Sequence, residues 1–232
     1  MNNNTSKKLN KQGRGRLKSE SLKFSALAVV SICTVTSANA QVQFPVEAPT
    51  PKVGQIAKFR AVDLWNNKEI SLVTNELVDV EANNFVVRFK RADRDTLTTI
   101  RFDRSWNICR SMKNSDKVAC DGVLKFPMQI GAKYSFKERP WGSGQGYDSA
   151  ACEVQGEEKV SVPAGSYDTL RVVCAGFWTR VFEGNLSGRF NETIWYAPGI
   201  GRAVKFQYNN FHSQGALDTK TQTELMEFVV GG

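Results

Sequence analysis

The amino-acid sequence predicts an all-β protein in which antiparallel strands form a sandwich or a barrel. Apolar and polar residues alternate along short segments such as 85–90, as expected for strands with one buried face. Turn-forming residues recur about every 8–12 residues, a spacing typical of all-β architectures. No segment shows a clear apolar stripe with helical spacing, so few or no helices are expected beyond a signal peptide.

The first 40 residues have the organisation of a secretory signal peptide. Residues 1–23 hold seven Lys or Arg residues and one Glu, an apolar run covers residues 24–35, and Ala38-Asn39-Ala40 is a small-x-small cleavage site. The apolar run is too short to span a membrane, because a transmembrane helix needs about 20 residues. We therefore expect cleavage after Ala40, a periplasmic location and no transmembrane segment in the mature chain.

Two other interpretations of the N-terminus stay open. The stretch Val30-Ser31-Ile32-Cys33 resembles a lipobox, in which Cys33 would be acylated, although Ile32 stands where a small residue is expected. The alternative to a signal peptide is a disordered basic tail followed by a buried strand.

The mature chain is nearly neutral. Without residues 1–40 it keeps 24 of 31 basic and 22 of 23 acidic residues, so the net charge falls from +8 to +2. The high pI therefore reflects the targeting segment and indicates no nucleic-acid partner. The remaining chain has the length of one domain with a real core. We assign residues 41–52, which hold three prolines, to an extended lead-in and residues 53–232 to a single β domain.

Four cysteines remain after the signal peptide, and an even number in an exported chain predicts disulfides. A turn segment lies near the midpoint between Cys109 and Cys120, and another lies near the midpoint between Cys152 and Cys174. Hairpins at these turns would place the members of each pair opposite each other on neighbouring strands. The predicted pairs are therefore Cys109–Cys120 and Cys152–Cys174. A zinc site built from all four thiolates is the alternative, although no CxxC pair supports it.

The predicted strands follow one another along the mature chain, separated by Asn, Asp, Gly or Pro turns. They cover residues 54–64, 69–80, 85–90, 96–103, 123–126, 134–137, 153–162, 167–175, 177–182, 190–196, 202–208 and 224–230. The segment 69–80 also fits a helix, but its Thr and Val content and the Asn83-Asn84 turn after it favour a strand. The glycine-rich segment 139–147 and the hydrophilic segment 209–220 are predicted loops.

Two turns are expected to shape the C-terminal half of the chain. Pro163 and Gly165 form the first, and Pro198, Gly199 and Gly201 form the second. Proline fixes φ near about −65° and glycine permits positive φ, so both segments suit compact turns. These residues are structural devices and imply no reaction.

Catalytic chemistry has little support in the sequence. The single histidine, His212, lies in a hydrophilic segment, and neither an HExxH motif nor a GxSxG elbow is present. The alternating glycines within 141–146 lack the following helix and lysine of a phosphate-binding loop. We expect neither a cofactor nor a metal. Carboxylates that could serve an acid–base hydrolase are candidates by position only: Glu138, Asp148, Glu153, Glu183 and Glu192.

Four aromatic residues are the candidate ligand-binding residues: Trp141, Trp178, Trp195 and Tyr196. Flat aromatic surfaces suit a carbohydrate or lipid ligand, while packing in the core is the alternative for each of them.

Several elements between residues 120 and 230 resemble those of one protein family. The segment 126–134 resembles its FPLxVGKxW element, 160–172 its VxVPAGxFDTxRV hairpin, and 193–205 its YWYAPGxGxVK segment. Glu224-Leu225 resembles the start of its terminal strand. The chain is thus similar to the DUF3108-type group of exported bacterial β-proteins, although Tyr134 replaces a tryptophan and the cysteine pairs are additional. The resemblance implies a lipocalin- or LolA-like curved antiparallel sheet or partly open barrel, and it supplies no catalytic residue.

Together these observations predict a non-enzymatic periplasmic β-protein. It would bind an apolar or cell-envelope ligand, or a partner protein, in the concavity of a curved sheet. One alternative is an envelope assembly or structural module without a small ligand. Another is an envelope hydrolase that uses carboxylates.

Overall fold

The computed structural model describes residues 44–111, 118–141, 145–181 and 186–232. The predicted signal peptide, Cys33 and the turn between the first two mature cysteines lie outside the described residues. The described residues form twelve β-strands and one short 3₁₀ turn at Pro198–Ile200, so the all-β prediction is confirmed. Within them, no helix has the length and hydropathy needed to cross a membrane.

The strands occur in the following order along the chain. They are β1 (Ile56–Asp63), β2 (Glu69–Val80), β3 (Asn84–Arg91), β4 (Leu97–Asp103), β5 (Ile108–Ser111), β6 (Val118–Cys120), β7 (Lys133–Trp141), β8 (Gly146–Val162), β9 (Gly165–Arg180), β10 (Ser187–Ala197), β11 (Arg202–Phe211) and β12 (Leu217–Val229).

All twelve strands belong to one antiparallel sheet that curves into a nearly closed barrel. The strand order is β6-β5-β4-β3-β2-β1-β12-β11-β10-β9-β8-β7, so every neighbour but one is also a neighbour in sequence. The exception is the β1–β12 pair, which joins the two ends of the β domain in the middle of the sheet. The sheet edges are β6 and β7, and this gap makes the barrel partly open, as predicted.

The connection between β6 and β7 lies across this gap. Tyr134 on β7 donates its hydroxyl proton to the Val123 carbonyl at 2.7 Å, and Met128 pairs with Val46 in an isolated antiparallel bridge. The predicted strand at 123–126 is absent. Instead of a neighbouring strand, the buried Asn107 side chain binds the Leu124 backbone, accepting from its N–H and donating to its carbonyl, both at 2.8 Å.

Alternating burial along the strands explains why these segments form a sheet. In β8, Asp148, Ala150, Cys152 and Val154 are buried, while the residues between them are more exposed. The distal part of the β8–β9 hairpin reaches β12, where the Ala164 N–H donates to the Leu225 carbonyl at 3.1 Å. A second, smaller apolar cluster forms there, apart from the main core.

Both predicted disulfides are present. Cys109 and Cys120 face each other on β5 and β6, and Cys152 and Cys174 face each other on β8 and β9. Placing the turn near the midpoint of each pair therefore gave the correct register.

The two proline–glycine turns connect β8 to β9 and β10 to β11. Gly165 has φ +137° and Gly201 has φ +64°, and residues with a side chain rarely adopt such positive values. The Gly201 N–H donates to the Pro198 carbonyl at 3.1 Å and closes the second turn directly before β11.

The described parts of both predicted loops consist largely of strand, and residues 142–144 lie outside the described residues. Residues 209–220 contain the end of β11 and the start of β12, joined by a short turn at 212–216. Polar cross-strand pairs replace apolar ones here, for example the Asn210–Asp218 hydrogen bond at 3.2 Å. In 139–147, β7 extends to Trp141 and β8 begins at Gly146. Both loop predictions were wrong because strands with one solvated face also contain polar or small residues.

Candidate binding cavity

A cavity of about 680 Å³ lies within the barrel. Side chains from most strands line it, and its wall mixes apolar groups such as Phe59, Ile194 and Phe206 with charged and amide groups. One strand, β11, contributes wall residues from Arg202 to Asn210. At about 3.3 Å per residue this stretch is about 26 Å long, so the cavity is elongated.

Trp141 and Trp178 both line this cavity. Each packs over a glycine directly opposite on the neighbouring strand, Gly146 for Trp141 and Gly188 for Trp178. A Cβ atom at either glycine would overlap the indole ring, so glycine is required for this close approach. The Trp178 indole N–H donates to the Phe211 carbonyl at 3.2 Å and fixes the ring in the wall.

Trp195 and Tyr196 lie elsewhere. Trp195 belongs to the smaller apolar cluster, and its indole N–H donates to Glu158 at 3.0 Å. Tyr196 is buried and packs edge-to-face on Phe126 with ring centroids 5.2 Å apart. The structure therefore brings two of the four candidate aromatics together and separates the other two from them.

Tyr196 borders a second pocket, of about 1000 Å³, between the lead-in and the β10–β11 turn. Residues 44–52 of the lead-in form one side of it, and Gly201 and Phe228 contribute to the other. Its described wall contains no buried ion pair comparable to those of the barrel cavity.

Two of the candidate carboxylates meet in the barrel cavity through one arginine. Arg139 binds Asp148 through two hydrogen bonds, at 2.7 and 2.8 Å, and binds Glu192 at 3.0 Å. The three side chains are only 11%, 6% and 17% exposed, respectively. Burial lowers the pKa of Arg139, but the hydrogen bonds and charges of both acids outweigh burial and raise that pKa above its usual range. Both acids therefore act as counter-ions of a permanently charged guanidinium.

The other candidate carboxylates do not join this group. Glu138 lies on the exposed side of β7, and its N–H donates to the Ser149 hydroxyl at 3.0 Å. Glu153 forms a surface ion pair with Lys133 at 3.7 Å. Glu183 lies outside the described residues. His212, in the β11–β12 turn, contacts Asp218 at 3.1 Å and is 59% exposed.

Sequence reasoning missed a second ion pair in the cavity wall, between Arg110 and Asp121. Burial raises the pKa of Asp121 to about 6, although the positive charges of Arg110 and Arg139 oppose this shift. The pair follows directly on Cys109 and Cys120 in the sequence. Opposite charges placed one residue after each member of a predicted disulfide were the signal that could have identified it.

Arg202 is the second missed residue. It lies in the cavity wall at 6% exposure, and its guanidinium stacks on Trp106, 3.7 Å from the ring centroid. No carboxylate of the described residues lies within ion-pair distance of it, in contrast to Arg110 and Arg139. Nothing in the sequence distinguishes Arg202 from a solvated arginine after a turn.

Three further polar atoms in the wall are buried without a hydrogen-bond partner among the described residues: the Asn75 and Asn210 side-chain oxygens and the Trp106 indole N–H. Buried polar groups are nearly always hydrogen-bonded. All three residues belong to the wall of this one cavity.

Solved structures of candidate bacterial lipoproteins and of a candidate exported protein are similar to this chain. A candidate lipoprotein from Parabacteroides distasonis ATCC 8503 matches with a TM-score of 0.50 and 12% identity, over 81% of this chain and 100% of that chain. A candidate exported protein with YmcC-like fold from Bacteroides fragilis NCTC 9343 gives a TM-score of 0.48 and 14% identity, over 79% and 99%. The hypothetical lipoprotein YmcC from Escherichia coli K12 gives 0.38 and 9%, over 75% and 83%.

No family model and no curated protein matches the chain. The DUF3108 resemblance therefore stays a prediction. At 12% identity, the likeness to the Parabacteroides protein shows a shared fold and assigns no function.

Proposed function

We propose that this protein is a non-enzymatic binding protein of the bacterial periplasm that holds a small amphipathic ligand inside its barrel. The observation that supports this proposal most directly is the elongated cavity of about 680 Å³. Small-molecule sites typically have volumes of about 300–1,000 Å³ and combine apolar walls with a few placed polar groups. The cavity wall, with Trp141 and Trp178 beside buried charged residues, fits this description.

The ion pairs favour binding over hydrolysis. A carboxylate hydrolase needs an acid that can donate a proton and a second carboxylate at a working separation. Asp148 and Glu192 are instead both hydrogen-bonded to Arg139, so they serve to hold the barrel wall together.

The periplasmic location is supported by two independent features. The N-terminal 40 residues have signal-peptide organisation, and the mature chain holds two disulfides, which persist in oxidising compartments.

Native mass spectrometry of the protein purified from periplasm tests the proposal. We expect a fraction of molecules to retain a small bound mass that organic extraction removes. The extracted protein should then bind the neutral apolar dye Nile red with a rise in fluorescence.

A cavity-filling variant locates the binding. Ala203 is buried in the cavity wall, so Ala203→Phe should weaken Nile red binding severalfold. Ala175 is exposed on β9, so the matched control Ala175→Phe should bind as wild type does. An absence of any bound mass together with an absence of dye binding would overturn the proposal. Equal weakening of Nile red binding by both variants would show that the barrel cavity is not the binding site.

A further inference from the structure

Arg202 is a buried charge without a counter-ion among the described residues, and it faces the cavity. An isolated buried charge strongly destabilises a folded protein. Stacking on Trp106 at 3.7 Å offsets only part of this cost. Burial lowers the pKa of Arg202 to about 9, so the guanidinium stays charged at neutral pH.

The position of Arg202 is built into the fold. It is the first residue of β11, directly after the Pro198–Gly201 turn that fixes the direction of the strand. Its aromatic partner Trp106 adopts φ +62°, a conformation that is rare for a bulky residue. The Asp103 carboxylate holds the Trp106 loop by accepting the N–H groups of Ser105 and Asn107 at 2.8 and 2.9 Å.

A second hydrogen-bond donor is free beside the guanidinium. The Trp106 indole N–H is buried and has no acceptor among the described residues. The guanidinium itself presents several N–H donors in a planar fork that matches carboxylate and phosphate oxygens. The Arg202 guanidinium and the Trp106 indole N–H together offer hydrogen-bond donors and an unpaired positive charge on one side of the cavity. This combination is complementary to an anion.

The rest of the cavity suits an elongated apolar body. From Arg202, β11 continues through Phe206 and Tyr208, both in the wall, towards Trp178 on β9. Among the other wall arginines, Arg110 and Arg139 already have carboxylate partners, and Arg180 is exposed to solvent. An anionic group would therefore find its counter-ion at Arg202.

We propose that the ligand is an anionic amphiphile whose carboxylate or phosphate group binds the Arg202 guanidinium and the Trp106 indole N–H, with its apolar chain along β11. This inference rests on the function proposed above and specifies the chemical class of its ligand. The carboxylate could come from a free fatty acid and the phosphate from a lipid headgroup, and the choice of probes separates these sources.

The test compares three probes with the same chain: hexadecanoic acid, hexadecyl phosphate and the neutral hexadecanol. Their affinities are measured by displacement of Nile red from the extracted wild-type protein. We expect at least one anionic probe to bind about tenfold more tightly than hexadecanol, as befits a charge-assisted contact. The tighter of the two anionic probes identifies the headgroup chemistry.

Arg202→Met removes the charge and keeps a long apolar side chain. It should abolish the preference for anions, weakening the binding of the anionic probes far more than that of hexadecanol, whereas Arg202→Lys should keep part of the preference. Trp106→Phe retains a ring under the guanidinium and removes only the indole N–H, so it should weaken anion binding by severalfold even if Arg202→Met fails to fold. Arg88→Met, at a surface ion pair with Glu76, is the matched control and should change nothing.

Two results would overturn the inference while leaving the proposed function intact. One is equal binding of all three probes by the wild type, and the other is an anion preference that survives both Arg202→Met and Trp106→Phe. If no probe displaces Nile red, the ligand class is wrong, and the native mass spectrum independently decides whether any ligand is bound.

Discussion

The β7–β10 region and the β4–β6 region contain the same two features, a cross-strand disulfide and an arginine–aspartate pair in the cavity wall. In the first region the strands are up to 17 residues long, Cys152 and Cys174 are buried, and Arg139 is 11% exposed. In the second, β5 and β6 have four and three residues, Cys120 is exposed, and Arg110 is 39% exposed.

The two disulfides therefore have different roles in the stability of the protein. The β8–β9 hairpin pairs along its whole length, so its disulfide reinforces a structure that the backbone already specifies. The β5–β6 hairpin pairs at only three positions at the edge of the sheet. There the disulfide holds a strand that would otherwise fray, next to the gap in the barrel. Global stability should therefore depend on the first region, and local order at the cavity edge on the second.

The largest expected effect is that of Arg139→Met. It leaves Asp148 and Glu192 as buried, unpaired charges, which should lower the free energy of unfolding by about 3–5 kcal/mol. The counterpart Arg110→Met should cost about 1 kcal/mol or less, because Arg110 is partly solvated. Urea unfolding followed by tryptophan fluorescence measures both.

A triple variant without charges at this site distinguishes two causes of the stability loss in Arg139→Met, the unpaired carboxylates and the lost packing. Arg139→Met combined with Asp148→Asn and Glu192→Gln should regain most of the stability that Arg139→Met alone removes. Equal losses for Arg139→Met and Arg110→Met would abolish the distinction between the two regions.

The second-largest effect on stability is expected for removal of the buried Cys152–Cys174 disulfide. Cys152→Ala/Cys174→Ala should lower the free energy of unfolding by about 3 kcal/mol, the chain-entropy value for a loop of this length. The long hairpin should still form, so the circular dichroism spectrum should keep its β character. A variant that fails to fold would show that this disulfide specifies the hairpin and does more than reinforce it.

Titration of Asp121 should have a smaller effect. Its pKa rises from 3.8 to about 6 in the folded state, chiefly through burial, with Arg110, Arg139 and Glu192 as the charged neighbours. Between about pH 4 and 6 the Asp121 carboxyl therefore binds more protons in the folded than in the unfolded state, so its contribution to the free energy of unfolding falls as pH rises. Asp121→Asn should remove about 2 kcal/mol of this fall.

The measurement is the free energy of unfolding at a series of pH values for wild type and Asp121→Asn. Asp93→Asn is the control: the hydrogen bond with Arg91 lowers the pKa of Asp93, so this variant should not reduce the fall in stability between about pH 4 and 6. Parallel curves for wild type and Asp121→Asn would contradict the assignment.

The smallest expected effect on global unfolding is that of Cys109→Ala/Cys120→Ala. The chain-entropy model alone would assign about 3 kcal/mol to this loop as well. We expect about 1 kcal/mol, because a three-residue edge strand opens locally before the barrel unfolds. Hydrogen exchange should show lost protection at Val118–Cys120 and Leu124, with the amides of β8 and β9 unaffected. A global loss equal to that of the buried pair would refute the local-opening view.

Much of the fold could be predicted from the sequence because the signals are local. Both disulfides followed from turns near the midpoint of each cysteine pair, and β2 was predicted over its full length, 69–80. The errors at 123–126 and 209–220 also have a local cause. Apolar content suggested a strand where Asn107 supplies the hydrogen bonds, and polar content suggested a loop where polar cross-strand pairs form.

The candidate site was predicted only in part. Trp141, Trp178, Asp148 and Glu192 were candidates, and all four line the cavity. Their grouping could not be predicted, since Arg139 and Glu192 are 53 residues apart and meet only when four neighbouring strands, β7 to β10, pair in register. Arg202 was missed because an isolated charged residue looks the same in the sequence whether it is solvated or buried. Arg110 and Asp121 were missed although each directly follows a cysteine of one predicted disulfide.

The sequence by itself determined where the strands and turns lie and which cysteines can pair, because these properties depend on residues within one hairpin. Only the tertiary structure decided which side chains share the cavity and which charges find a partner there. The physical reason is that the curved sheet brings together residues from distant strands, and burial then makes an ion pair such as Arg139–Glu192, or its absence at Arg202, energetically important.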